Sequence, residues 1–220
     1  MDRPYVILSS AMTLDGKIAS KTGDSRISSK ADLKRVHLLR LEVDAIIIGI
    51  ETVIKDDPLL TVRLVKGKNP LRVVIDSKAR IPLSSNLVRS VNSGPIVIAI
   101  SSAASETRSR NLTSLGCKIM RCGTSGKVDL PIMLSDLKDM GIKKILLEGG
   151  GILNAAMLNG GLVDEVIVAV APVIIGGDRS TTLVEGKGID KIKNGIRLEL
   201  KDTRNIGSDI VLSYDVVKKN

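Results

Sequence analysis

Three runs of five residues, Ala45–Gly49 (AIIIG), Leu71–Ile75 (LRVVI) and Ile96–Ile100 (IVIAI), are apolar almost without interruption, and so is the shorter run 144–147 (KILL). A strand with one wet face alternates in polarity. Runs that do not alternate mark strands covered on both faces, as in a parallel sheet. Segments of helical character separate them, at 29–42, 50–55, 102–115, 131–140 and 151–160. In the first of these Leu33, Val36 and Leu39, with Leu41, are expected to face inward. Residues 5–8 read as a leading strand, and 85–95 as a polar loop joining two core strands. From Asp164 onward 166–171, 196–202 and 209–217 read as strands joined by glycine-containing turns. The pattern predicts an α/β fold with a mostly parallel central sheet, flanking helices and an antiparallel C-terminal portion. No linker divides it, so one domain over 1–220 is expected.

Composition removes much catalytic chemistry. The chain has one histidine, two cysteines, two tyrosines and neither Phe nor Trp. Cys117 and Cys122 supply neither a disulfide framework nor a four-ligand zinc site, and a single imidazole excludes an HExxH metal helix. Both cysteines read as core or near-core thiols, and His37, in the middle of a helix, as a partly exposed or helix-packing histidine rather than a catalyst. The formal charge of +9 raises the question of polyanions. Aromatic stacking platforms for single strands are missing, and the basic residues are spread among acidic ones. An ordinary basic surface fits this charge, and so does a site for a small phosphorylated ligand. No apolar run approaches the ~18 residues of a membrane helix. The opening Met1-Asp2-Arg3-Pro4 lacks a signal-peptide layout, which makes the cytoplasm the expected compartment.

Four segments could carry chemistry. In Glu148-Gly149-Gly150-Gly151-Ile152 a strand runs into three glycines and then a helix. Glycines there let backbone amides approach a phosphate, although a tight turn alone would need only one. Thr52 and Asp56 fall one helical turn apart after a buried strand; the plainer reading is a cap, with Asp56-Asp57-Pro58 ending the helix. Arg40 and Arg63, near Leu60, offer guanidinium forks suited to a phosphate monoester, though solvated arginines are common. Ser77, Lys78 and Arg80 follow another strand and would suit the 2′-phosphate of NADPH, or form a basic loop.

Together these segments resemble the riboflavin-biosynthesis reductase family, the C-terminal half of the bacterial deaminase-reductase. The resemblance rests on Thr13-Leu14-Asp15-Gly16-Lys17-Ile18-Ala19, Gly23-Asp24-Ser25-Arg26, Thr52-Val53 with Asp56-Asp57-Pro58, and Leu60-Thr61-Val62-Arg63. Val74-Ile75-Asp76-Ser77, Glu148 to Gly151 and Ala171-Pro172-Val173-Ile174-Ile175-Gly176-Gly177 follow in the same order. It implies a dihydrofolate-reductase-like fold, NADPH as cofactor and a homodimer. Carried over by position, Ala11, Thr52, Asp56, Ser77, Gly149, Gly150, Gly151 and Ile152 would contact the cofactor. Ser25, Arg40, Leu60, Arg63 and Glu148 would contact substrate, with the arginines on its 5′-phosphate and Glu148, the catalytic candidate, stabilising the developing iminium or holding ribose hydroxyls. In related dihydrofolate reductases the Gly-Gly of this loop is joined by a cis peptide, which is therefore expected here. Bacterial members often carry Trp after Gly-Asp-Ser, where this chain continues Arg26-Ile27.

The His-x-Glu and Cys-x-x-Cys set of the zinc deaminase is missing from this sequence. A stand-alone reductase resembles the archaeal and fungal branch, which implies 2,5-diamino-6-ribosylamino-4(3H)-pyrimidinone 5′-phosphate as substrate, with hydride added to C1′ of the ring-opened imine. The alternatives are the deaminated 5-amino-6-ribosylamino relative as substrate, a dihydrofolate reductase, or a module binding nucleic acid or another anion.

Overall fold

A computed structural model describes residues 3–218. The chain begins with β1 (Tyr5–Thr13), β2 (Lys17–Ala19), α1 (Lys30–Leu41), β3 (Ala45–Gly49) and α2 (Ile50–Asp56). Next come β4 (Leu71–Ile75), α3 (Asn86–Arg89), β5 (Ile96–Ile100), α4 (Glu106–Ser114), β6 (Lys118–Arg121) and α5 (Leu130–Asp139). The last elements are β7 (Lys144–Gly149), α6 (Gly151–Asn159), β8 (Glu165–Ala171), β9 (Thr181–Thr182), β10 (Leu198–Ile206) and β11 (Asp209–Val216). By contact density they fall into two compact units, Met1–Tyr5 with His37–Leu146 and Val6–Val36 with Leu147–Asn220.

In the first unit β3, β4, β5 and β6 pair in parallel, each with the next. Residues 45–48 of β3 and all of β5 are buried, as unbroken apolar runs require. Asp44 fixes how β3 meets β7: its carboxylate accepts from the amides of Lys143 and Lys144 at 2.8 and 2.9 Å. Side-chain caps set the helix starts, with Ser85 on Val88, Ser105 on Arg108 and Asp129 on Ile132. The polar stretch 85–95 is therefore not all loop. It holds α3 and a 3₁₀ turn at Val91–Ser93.

In the second unit β1 pairs in parallel with β8, while β11 runs antiparallel to both β8 and β10. The antiparallel C-terminal portion expected from the sequence is thus present. A separate ribbon joins β2 to β9. Asp164 aligns β8, since its backbone amide donates to Val6 O and its carboxylate accepts from Val6 N at 2.8 Å.

Helix α1 differs from expectation. Leu33 and Leu38 are each 45% exposed and Val36 and Leu39 half-buried, whereas Asp32, His37 and Arg40 are buried. Polar contacts set this rotation. Ser29 caps the helix by accepting from Asp32 N, and Arg35 pairs with the buried Asp32 carboxylate at 2.7 Å. His37 and Arg40 bind backbone atoms of 61–64. A helix face that serves hydrogen bonds cannot also be the leucine face.

Candidate active site

Within the first unit, the residues expected on substrate gather at one irregular segment, Leu60 and Arg63 in it and Arg40 reaching it from α1. Arg40 Nη1 donates to the Thr61 carbonyl and Arg63 Nη1 to the Thr61 hydroxyl, both at 2.9 Å. Two guanidinium groups so meet at one residue, one on its carbonyl and one on its hydroxyl. Arg40 is buried, so its charge must be met by groups beside it. Leu60, just before, is 3% exposed and takes φ 54°, a left-handed backbone that a leucine rarely adopts. Such a conformation persists only where surrounding structure enforces it, and functional segments are where it collects. Buried Arg72, on β4, anchors the residue before Leu60: it donates to the Leu59 carbonyl, to Ser90 Oγ and O, and to the Gly94 carbonyl. Arg72, Asn69 and His37 are the residues that sequence reading missed here. Only Arg72 carried a signal, as a charge inside a run otherwise read as buried on both faces.

Thr52 and Asp56 lie on α2 one turn apart, Thr52 half-buried and Asp56 exposed. Asp57 ends that helix with φ 41° and then accepts from Asn86 N at 2.7 Å, so its carboxylate starts α3. Beyond β4, Ser77 Oγ accepts from Val128 N at 3.1 Å and its carbonyl accepts from Ser101 Oγ. The hydroxyl thus has a structural duty in tying two loops together. Arg80 is paired with Glu51 at 2.6 Å.

In the second unit β7 ends at Gly149 and α6 starts at Gly151, so the three glycines are one strand-to-helix corner. Gly149 and Gly150 both take φ 77°. No cis peptide occurs among the described residues, which corrects the expectation carried from dihydrofolate reductases. Two successive left-handed glycines turn the chain with trans bonds instead. Gly151 is small for another reason: a Cβ there would stand 2.5 Å from Thr182 O and 2.6 Å from Glu185 Cγ. No side chain caps α6, and the chain enters it through Gly149, Gly150 and Gly151, which carry no side chains. That corner fits the phosphates of a dinucleotide, because helix N-termini attract anions and glycine permits close approach. Ile152, in that first turn, is exposed, and Glu148, at the end of β7, is half-buried. Asn154 braces the corner, donating from Nδ2 to the Leu183 carbonyl at 2.9 Å.

The other expected residues of this unit lie on β1 and in the loop after β2. Ala11 sits in β1 opposite Ala169 of β8, and Ser25 is exposed in the loop leading to α1. Beside Ser25, Arg26 grips Asp24 through two hydrogen bonds of 2.8 Å, and this pairing holds the Asp24 carboxyl down at about 2. Among the described residues no His, Cys, Asp and Glu cluster could hold a metal, and no helix is long and apolar enough to cross a membrane.

Comparison with known proteins gives consistent results. Residues 4–212 match the RibD C-terminal domain family. The chain is 50% identical over 217 residues to the 2,5-diamino-6-ribosylamino-4(3H)-pyrimidinone 5′-phosphate reductase of Methanothermobacter thermautotrophicus, covering 97% of this chain and 99% of that one. Among solved structures, RibD of Acinetobacter baumannii superposes with a TM-score of 0.85 at 28% identity, covering 98% of this chain and 58% of that chain. Dihydrofolate reductase from Enterococcus faecalis, complexed with NADP(H), superposes with a TM-score of 0.58 at 13% identity over 97% of both chains. The dihydrofolate-reductase-like fold expected from the sequence is therefore the observed one.

Proposed function

The chain belongs to the RibD C-terminal domain family, and from that premise we propose that it reduces the ribose of 2,5-diamino-6-ribosylamino-4(3H)-pyrimidinone 5′-phosphate to the ribityl chain. The observation that carries this reading is the convergence of Arg40 and Arg63 on Thr61, a paired guanidinium site of the kind a phosphate monoester needs. Substrate held there by its phosphate would be positioned for reaction by binding energy from a remote, unreactive group. Leu60 and Ser25 would line the substrate, and Glu148 would hold the ribose hydroxyls or the cationic imine carbon.

NADPH is the proposed cofactor, and when bound it supplies the hydride. Gly149, Gly150, Gly151 and Ile152 would hold its phosphates with backbone amides. Thr52 and Asp56 on α2 would bind polar groups of the same molecule, Ala11 would meet the nicotinamide side through its backbone, and Ser77 would lie at the adenosine end. The Ser77 hydroxyl that accepts from Val128 can still donate. A protonated imine is electrophilic already, so the chain has to supply position and field rather than a strong acid. The 220 residues would act as one reductase domain, in the cytoplasm and as a homodimer.

The decisive experiment incubates purified protein with NADPH and the ribosylamino substrate and follows loss of reduced nicotinamide absorbance. The deaminated relative, dihydrofolate and NADH serve as comparisons. Rapid consumption with the diamino substrate supports the proposal; consumption only with dihydrofolate, or with none of them, overturns it. Replacing Thr52 by Ala together with Asp56 by Asn should weaken NADPH binding in a fluorescence titration, and unaltered affinity would reject that assignment.

A further inference from the structure

We propose that His37, the chain's one histidine, is a positioning residue that sets the grip of Arg63 on the substrate phosphate. This rests on the reading of Arg63 given above. His37 is 5% exposed on α1, and its Nδ1 lies 2.9 Å from the backbone nitrogen of Arg63 and 3.4 Å from that of Leu64. A backbone N–H can only donate, so Nδ1 must present its lone pair and the ring is neutral with its proton on Nε2.

The segment it holds has no regular structure, and side chains take the place of a ladder. Arg40 holds the Thr61 carbonyl at 2.9 Å, Asn69 Oδ1 accepts from Val62 N at 2.6 Å, and His37 takes the Arg63 amide. Three consecutive residues are each fixed by a side chain from elsewhere in the same unit. The direction in which the Arg63 side chain leaves the backbone follows from that backbone's placement, and displacements near 1 Å are enough to spoil a binding geometry. His37 and Arg40 sit three residues apart on α1, so one helix face supplies a guanidinium of the site and the anchor of the other.

The test uses substitutions that separate an acceptor at Nδ1 from mere bulk. An Asn amide oxygen can take the place of Nδ1, whereas Gln carries its amide out to the Nε2 position and Leu offers no acceptor. His37→Leu and His37→Gln should raise KM for the phosphorylated substrate about ten-fold, with kcat and the KM for NADPH within about three-fold of the parent. His37→Asn should restore the substrate KM to within about three-fold. In an Arg63→Ala background His37→Gln should add nothing further.

Equal impairment of the Asn and Gln variants would overturn the proposal, because the acceptor would then not matter. So would a Gln variant with the parent's substrate KM, or one that raises KM as much without Arg63 as with it. The two readings fail separately. If Arg63→Ala raises substrate KM while His37→Gln does not, only the role of His37 falls. If Arg63→Ala leaves KM unchanged, the phosphate assignment fails first and the role of His37 goes with it.

Discussion

A Cβ on Gly151 would stand 2.5 Å from the carbonyl oxygen of Thr182. The close approach belongs to a strap: Leu183 N donates to Gly16 O, Glu185 N to Gly151 O, and Asn154 Nδ2 to Leu183 O. Gly151→Ala must push this strap off α6, with loss of those bonds, and should cost about 1–3 kcal/mol. On the cofactor site proposed above, it should also weaken cofactor binding. Gly16→Ala is the control. No atom lies within 4 Å of a Cβ there and only φ 78° opposes it, for about 1 kcal/mol. Chemical denaturation compares the two, and equal losses would remove the strap as the cause.

Arg72 should be one of the most sensitive positions in the first unit. Its guanidinium is fully buried, and the carbonyls of Leu59 and Gly94 rely on it as donor. Burial pushes its pKa down from the ordinary value, with Cys117 opposing that shift. Arg72→Met keeps much of the volume but orphans these carbonyls, and we expect a loss of about 2–4 kcal/mol. Release of Leu59 should also relax the left-handed Leu60 and raise the substrate KM. A folded variant with unchanged stability in urea would show that water replaces the guanidinium without penalty.

How much of this could be read beforehand follows from where each feature gets its cause. The bounds of β3, β4 and β5 matched their apolar runs residue for residue, because burial on both faces leaves its full signature in the chain. The rotation of α1 did not, since the leucines that suggest one face lose to Asp32, His37 and Arg40, whose partners lie far along the sequence. The ribbon of β2 and β9 joins Lys17 to Thr182 and has no local signal at all. At the site, the family pattern marks Arg40 and Arg63, but Thr61 as their shared acceptor required the fold. Gly151 looked like a phosphate contact, and its neighbours supply a packing reason as well.

Both thiols should be inert in the folded protein. Cys117 and Cys122 are 2% and 0% exposed. Burial pushes the Cys122 thiol up to about 12, helped by its hydrogen bond to Asp136, and burial raises Cys117 as well. Thiolate is the reactive form, so a disulfide reagent near pH 8 should modify neither residue in the native state and both in denaturant. Rapid native labelling would mean that β6 opens readily.

Asp15 should make the 175–176 segment sensitive to acid. Its carboxylate accepts from Thr13 Oγ1 at 2.6 Å, Gly176 N at 2.8 Å and Ile175 N at 3.3 Å, pinning 175–176 to the turn after β1. The Thr13 hydroxyl contributes most to holding its pKa below the ordinary 3.8, with the two amides adding to it. A carboxyl lowered in the folded state stabilises that state above its unfolded value and loses the contribution as pH falls through the folded one. Protection of the Gly176 and Ile175 amides from hydrogen exchange, corrected for the intrinsic rate, should therefore be constant near neutrality and drop below about pH 4. Asp15→Asn should abolish the step and leave those amides weakly protected throughout. If protection in the parent stays flat down to about pH 2, or if the Asn variant keeps the step, then another group holds this segment.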